Sequence, residues 1–76
     1  MREGTIVRLK IEKQYGFITS EGVDYFFHKS GFHGHWDDLV NDFIPGKIKV
    51  QFQGDKTEKG LRASNVSRLD FPNQSV

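Results

Sequence analysis

Two neighbouring runs decide the fold of this chain: KQYGFI at residues 13–18 and DYFFH at residues 24–28. Aromatic residues are enriched in strands, and alternate side chains of a strand point to opposite faces. If the two strands pair, one face presents Tyr15, Phe17, Phe26 and His28. The other face supplies core residues, which are Ile18, Tyr25 and Phe27. A face of aromatic rings exposed to water predicts a surface on which unpaired bases stack, each contributing about 1–3 kcal/mol.

Length and composition limit the class of protein. With 76 residues the chain is long enough for one small domain. It has no cysteine, so neither a disulfide nor a Cys-based zinc site is expected, and the fold depends on packing. No apolar run approaches the roughly 20 residues that cross a bilayer, and we expect a soluble, cytoplasmic protein without a membrane partner.

Positive charge is concentrated near the aromatic runs although the net charge is only +1. The cations in or beside these runs are Arg8, Lys10, Lys13 and Lys29. Acidic residues are concentrated in the segment that follows, at 37–42. A local basic patch beside exposed rings indicates a nucleic-acid partner. Three later cations, Lys56, Lys59 and Arg62, are interpreted as a solvated rim, with contact to phosphate as the alternative.

Hydrophobic alternation predicts an all-β protein. The expected strands are residues 5–11, 15–20, 24–28, 47–53 and 61–69. In the first strand, Val7 and Leu9 alternate with Ile6, Arg8 and Lys10 on a charged face. Residues 30–45 read as a long loop with at most one helical turn, followed by a Pro45-Gly46 type II turn. Ala63 and Val66 are three residues apart, so an irregularity is expected in the last strand.

Five short strands without a convincing helix predict a closed barrel, because an open sheet of this size leaves long edges and too little core. The predicted fold is a small five-stranded antiparallel OB-fold barrel with a long loop between the third and fourth strands. It occupies residues 1–69, and residues 70–76 are expected to form a flexible tail.

Three segments, in this order, resemble the cold-shock domain family, whose five-stranded OB barrels bind single-stranded RNA and DNA. The family's first ribonucleoprotein motif resembles residues 13–18, its second resembles residues 25–28, and its closing strand resembles residues 59–66. The resemblance covers residues 4–66. It implies that bases stack on Tyr15, Phe17, Phe26 and His28. It also implies that Lys13 contacts backbone phosphate.

The chain departs from the family pattern in several places. The family has Lys, Trp, Phe and Asn where this chain has Val7, Arg8, Leu9 and Lys10. The stacking tryptophan of the first strand is therefore missing, and we expect the planar guanidinium of Arg8 to replace it. Gln14 stands at a glycine position, which predicts strain if its φ is positive. Lys29 replaces an aromatic residue. These changes predict weaker affinity and a different base preference.

The loop after Lys29 is longer than in the family and contains Trp36, which is predicted either to meet a base at the rim or to plug the end of the barrel. The candidate nucleic-acid-binding residues are Arg8, Lys10, Lys13, Tyr15, Phe17, Phe26, His28, Lys29 and Trp36. The expected function is binding of single-stranded RNA or DNA, as an RNA chaperone or a regulator of transcription or translation.

Other classes are less well supported by the sequence. No nucleophile elbow, phosphate loop or catalytic carboxylate pair is present, so we expect neither an enzyme nor a cofactor or small-molecule substrate. The histidines and the pair Asp37 and Asp38 lack the spacing of a metal site. The alternative function is a protein-interaction barrel that has lost nucleic-acid binding, with Phe32 and Trp36 exposed as a partner patch or homodimer seam. Otherwise a monomer is expected.

Overall fold

The computed structural model describes residues 1–69, so the tail expected at residues 70–76 lies outside the described part. Within that part the chain forms strands, a 3₁₀ turn and a short helix. Their bounds are β1 Arg2–Lys10, β2 Tyr15–Ser20, β3 Val23–His28, the 3₁₀ turn Lys29–Gly31, β4 Phe32–His33, α1 Trp36–Asp42, β5 Ile48–Thr57 and β6 Gly60–Arg68.

Five long strands close into a barrel, as predicted. β1, β2 and β3 form an antiparallel meander, β1 also pairs with β5, and β5 pairs with β6. β3 meets β6 in parallel at Phe26 and Arg62, which closes the barrel. One parallel pair is unavoidable, because five strands cannot all alternate in direction around a closed ring. The two-residue β4 adds to the far edge of β6.

The core lies inside the barrel and under α1. Its fully buried large side chains are Ile6, Ile18, Phe27, Leu39, Val50, Phe52 and Val66. Tyr25 is also buried, with its ring 4.9 Å from that of Phe52. The three core residues predicted from the aromatic runs are therefore confirmed. Removal of this apolar surface from water is the main stabilising term in a chain without disulfides.

A β-bulge corrects the predicted faces of the first strand. Ile6 pairs with Ile18, but the next pair is Arg8 with Phe17, so Val7 is an extra residue on β1. Ile6 is consequently fully buried and Val7 is 37% exposed, the reverse of the predicted arrangement. The sequence-based prediction assumed that side chains alternate without interruption along the strand. A bulge inserts one extra residue, so a single alternation cannot fit the side chains on both sides of it. Beyond the bulge, Arg8 lies on the outer face beside Phe17.

Residues 36–42, expected as part of a loop, form the two-turn helix α1. Asp37 and Asp38 lie in its first turn, where negative charge interacts favourably with the helix dipole. Trp36 and Leu39, three residues apart, are buried on the same side. The Arg68 guanidinium donates a hydrogen bond of 3.0 Å to the Asp42 carboxylate and ties the end of α1 to β6.

The turns match their sequences. Glu21 and Gly22 have φ values of 54° and 80° in the two-residue connection of β2 to β3, as a type I′ turn requires. Gly46 has a φ of 81°, and the Lys47 N–H donates to the Ile44 carbonyl at 3.0 Å, which confirms the predicted type II turn. Asn65, with a φ of 51°, marks the predicted irregularity in the last strand.

We predict that Gly16→Ala destabilises the barrel. A Cβ at this position would lie 2.6 Å from the Arg8 carbonyl oxygen and 2.8 Å from the Phe27 ring, so β1 and β2 would have to separate. The free energy of unfolding should fall by about 1–3 kcal/mol or more, measured by urea denaturation. Gly31→Ala is the matched control, because the nearest atom to its Cβ would be 3.8 Å away. Equal losses of stability in the two variants would contradict this interpretation.

Candidate nucleic-acid interface

Four rings on the outer face of β2 and β3 form what we call the aromatic platform. Its members are Tyr15, Phe17, Phe26 and His28. Phe17 pairs directly with Phe26, and Tyr15 pairs with His28. All four side chains are partly buried, whereas the residues between them point into the core. The predicted face of stacked rings is therefore present as a continuous surface.

Three rings of the platform, Tyr15, Phe17 and Phe26, contact one another at inclined angles and do not stack flat. The Phe17 and Phe26 centroids are 6.0 Å apart at an interplanar angle of 73°. Tyr15 lies 5.1 Å from Phe26 and 5.8 Å from Phe17, at angles of 38° and 90°. Such contacts between ring edges and faces stabilise each ring's position. They hold the rings as fixed surfaces for further π systems.

Cations are paired across the strands with the rings of the platform, at both ends of one row and at one end of a second. One row of paired residues crosses four strands in the order Arg8, Phe17, Phe26, Arg62. A second row runs Lys10, Tyr15, His28. Adjacent strands are roughly 4.8 Å apart, so each cation can reach the sugar-phosphate chain of a strand whose bases lie on the rings. This arrangement joins the basic and aromatic features that the sequence placed near each other.

Arg62 belongs to this surface, although the sequence favoured a solvated rim over a phosphate contact for it. Its guanidinium carbon lies 5.6 Å from the centre of the Phe26 ring, within cation–π range. The parallel contact of β3 with β6 brings the two residues together from 36 positions apart in the chain. No local sequence signal reports that contact, which exists only once the barrel closes.

The His28 ring is oriented by its neighbour Ser30. The Ser30 backbone N–H donates to His28 Nδ1 at 3.1 Å, and the Ser30 hydroxyl lies at the same distance from that nitrogen. Because Nδ1 accepts, the neutral ring carries its proton on Nε2. Nε2 has no hydrogen-bond partner among residues 1–69. The ring can therefore offer both a face and a donor to a ligand.

The remaining candidate cations are exposed at the edge of the platform. Lys13 lies in the turn between β1 and β2, and the Lys29 backbone N–H donates to the Gln14 carbonyl at 2.8 Å. Neither Lys13 nor Lys29 forms an ion pair within residues 1–69, and the same holds for Arg8 and Lys10. Their charges are thus not neutralised by neighbouring side chains in the described part of the chain.

Trp36 is the exception among the candidate residues. It is 7% exposed and packs edge to face against Phe27 and Phe32, at 6.2 and 6.3 Å. The prediction that Trp36 meets a base at the rim is therefore corrected, and its other predicted role, plugging the end of the barrel, describes its position. Phe32 is buried too. The exposed patch proposed for these two rings in the alternative function is absent.

Two depressions adjoin the platform. An open cleft of about 710 Å³ lies between the Phe17 and Phe26 side chains and residues 57–62, which are the end of β5, the turn after it and the start of β6. A smaller pocket of about 290 Å³ is lined by Val7, Arg8, Phe17 and Asp24. Phe17 lines both depressions. A nucleic-acid strand that lies along the platform would therefore have concave space on two sides of Phe17.

Comparison with known proteins agrees with this geometry. The family model described as the 'Cold-shock' DNA-binding domain matches residues 2–69. The chain belongs to the cold-shock domain family. This is a family of non-enzymatic domains that bind single-stranded nucleic acids.

Two individual proteins illustrate the relationship. The chain is 34% identical over 71 residues to the major cold shock protein of Micrococcus luteus, covering 91% of this chain and 100% of that protein. It also resembles the solved structure of drosophila Unr CSD456, with a TM-score of 0.65 and 25% identity over 99% of this chain. The chain spans 29% of the length of that Unr structure.

Two kinds of feature are absent from residues 1–69. No three His, Cys, Asp or Glu side chains lie close enough together there to hold a metal ion. In the same part of the chain, no helix is long and apolar enough to cross a bilayer.

We predict that Gln14→Gly stabilises the domain. Gln14 has a φ of 63°, a conformation that costs a non-glycine residue about 1–2 kcal/mol. Glycine removes this strain but adds about 0.5–1 kcal/mol of unfolded-state entropy, so a net gain of up to about 1 kcal/mol is expected in thermal or urea unfolding. Lys13→Gly is the control and should lose stability, since Lys13 has no positive φ. A loss of similar size in both variants would show that the turn is not strained.

Proposed function

We propose that this protein binds single-stranded RNA or DNA by stacking bases on the aromatic platform while cations beside it neutralise the phosphates. The observation that carries the proposal is the row Arg8, Phe17, Phe26, Arg62, in which two partly exposed rings lie between two cations in one register. Membership in the cold-shock domain family supports it. The phosphate-contacting residues in this proposal are Arg8, Lys10, Lys13, Lys29 and Arg62.

The platform is suited to single strands for a physical reason. A base offers its face to a ring only when it is not already stacked within a duplex, and face stacking is largely indifferent to base identity. Each stacked base is worth about 1–3 kcal/mol, so a few bases give useful affinity without any base-edge contacts. A protein of this kind keeps RNA strands unpaired, and we propose an RNA chaperone or a regulator of transcription or translation, acting as a monomer in the cytoplasm.

We propose that the missing tryptophan of the first strand changes the affinity for nucleic acid and not the way in which it binds. Arg8 stands in its place and lies beside Phe17 on the outer face. A guanidinium stacks on bases over a smaller area than an indole but adds a charge. We therefore propose that binding is weaker and more sensitive to salt than in members that carry the tryptophan.

The alternative function, a protein-interaction barrel, is not supported by the position of the two rings expected to form its partner patch. Phe32 and Trp36, the rings expected to form a partner patch, are in the core. The large apolar residues that remain exposed include Ile11 and Ile44, at 53% and 57%. Single exposed apolar residues are normal on soluble proteins and do not indicate an interface.

Phe17→Ala tests the platform directly. It should weaken binding of a labelled single-stranded oligonucleotide by about 1–3 kcal/mol, the value of one stacked base, measured by fluorescence anisotropy. The fold should persist because the ring is on the outer face. Ile44→Ala, which truncates an exposed apolar side chain in a turn, is the matched control and should bind normally. Unchanged affinity in a folded Phe17→Ala protein would refute the platform.

Salt dependence tests the charges. If about three or four of the five assigned cations neutralise a phosphate at the same time, a plot of log affinity against log salt concentration should have a slope near −2 to −3, because each contact contributes roughly −0.7 for a single strand. The measurement is the same anisotropy titration repeated at several salt concentrations. A slope near zero for a tight complex would be incompatible with the phosphate contacts assigned here.

A further inference from the structure

The small pocket beside Phe17 contains two opposite charges that do not neutralise each other. The bulge in β1 places Arg8 on the outer face next to Phe17, and Asp24 lies on the outer face of β3, paired with Thr19. Both side chains line the pocket of about 290 Å³. Within residues 1–69, neither forms an ion pair or a side-chain hydrogen bond. A fork of donors and a pair of acceptors are therefore both available to a ligand.

The chemistry of these two groups favours one base. The Arg8 guanidinium presents parallel N–H donors, and the Asp24 carboxylate presents two acceptor oxygens. Guanine carries two adjacent acceptors, O6 and N7, which are the preferred partners of arginine, and two adjacent donors, N1–H and the N2 amino group. Its edges can therefore engage both side chains with two hydrogen bonds each while its face lies on the Phe17 ring.

The other bases satisfy the pair less well. Adenine has a donor at N6 next to N7, so the arginine fork meets one acceptor and one donor. Cytosine can offer its two adjacent acceptors, N3 and O2, to the arginine fork, but it then has only the N4 amino group for the carboxylate. Uracil and thymine offer a single donor, N3–H, between two carbonyls. Each of these bases leaves at least one charged group without a full set of partners, and such groups are costly once removed from water.

We propose that Arg8 and Asp24 form a guanine-selective subsite beside Phe17, within a surface that otherwise accepts any base. The proposal rests on the proposed function, because the base must first stack on the Phe17 ring. At this subsite the planar fork of Arg8 reads the edge of the base that lies on Phe17 instead of stacking on a base, while its charge still contributes to phosphate binding. A bidentate contact of this type discriminates between bases by about tenfold or more.

The test measures binding of labelled six-nucleotide DNA strands by anisotropy. The reference is an all-thymidine strand, and the comparison strands carry one guanosine, adenosine or cytidine at each position in turn. The best guanosine strand is then remade with inosine, which lacks the N2 amino group, and with 7-deazaguanosine, which lacks N7. For the wild-type protein we expect the guanosine strand to bind about tenfold more tightly than the others, with part of the gain lost in each analogue.

Two variants separate base reading from charge. Arg8→Lys keeps the positive charge but not the fork, so it should remove the guanosine preference, whereas its loss of affinity for the all-thymidine strand should be no larger than that of Arg62→Lys. Asp24→Asn should reduce the preference, with inosine and guanosine becoming equivalent. Arg62→Lys is the matched control: it changes the other arginine of the same row and should alter affinity for all strands equally.

The outcomes distinguish this inference from the proposed function. Equal binding of all strands by the wild-type protein, or a guanosine preference that persists in Arg8→Lys and Asp24→Asn, would overturn the guanine subsite and leave the proposed function intact. If none of the single-stranded oligonucleotides binds at low salt, the proposed function and the subsite are both overturned. A preference lost in Arg8→Lys but kept in Arg62→Lys would establish the subsite.

Discussion

The pairing of β2 with β3 in the register that places Phe17 opposite Phe26 is the constraint on which the rest of the structure depends. Because side chains alternate, this one register puts Ile18, Tyr25 and Phe27 into the core and leaves the aromatic platform outside. A slip of one residue would exchange the two sets and remove both the core and the platform. Burial on one face thus fixes the geometry of the rings on the other.

The bulge in β1 and the closure of the barrel place an arginine on each side of the Phe17–Phe26 pair. The bulge in β1 brings Arg8 beside Phe17, and the parallel contact between β3 and β6 brings Arg62 over Phe26. Each cation is held by strand pairing rather than by an ion pair with a neighbour. The arrangement lets one short surface combine stacking, which ignores base identity, with charge, which ignores sequence altogether.

The sequence predicted the features that are local and missed those that depend on closure. The platform and the Pro45-Gly46 turn follow from alternation and turn chemistry, and the structure contains both. The positive φ of Gln14 was expected only from the glycine that the family has at that position. The exposure of Val7 depends on a bulge, and the place of Arg62 depends on a contact between distant strands. The sequence left two positions open for Trp36, the rim and the core. Helix α1 is only two turns long, and its hydrophobic pattern is too short to show which side is buried.

The central claim is that nucleic acid binds on the platform and not elsewhere on the barrel. The most direct measurement is a two-dimensional amide NMR titration with a short single-stranded oligonucleotide, read residue by residue. We expect the largest shifts in β2 and β3 around Phe17 and Phe26, with neighbouring changes at Arg8 and Arg62, and little change at the indole N–H of the buried Trp36. Shifts centred on α1 and β5, with β2 and β3 unaffected, would show that nucleic acid does not bind on the platform.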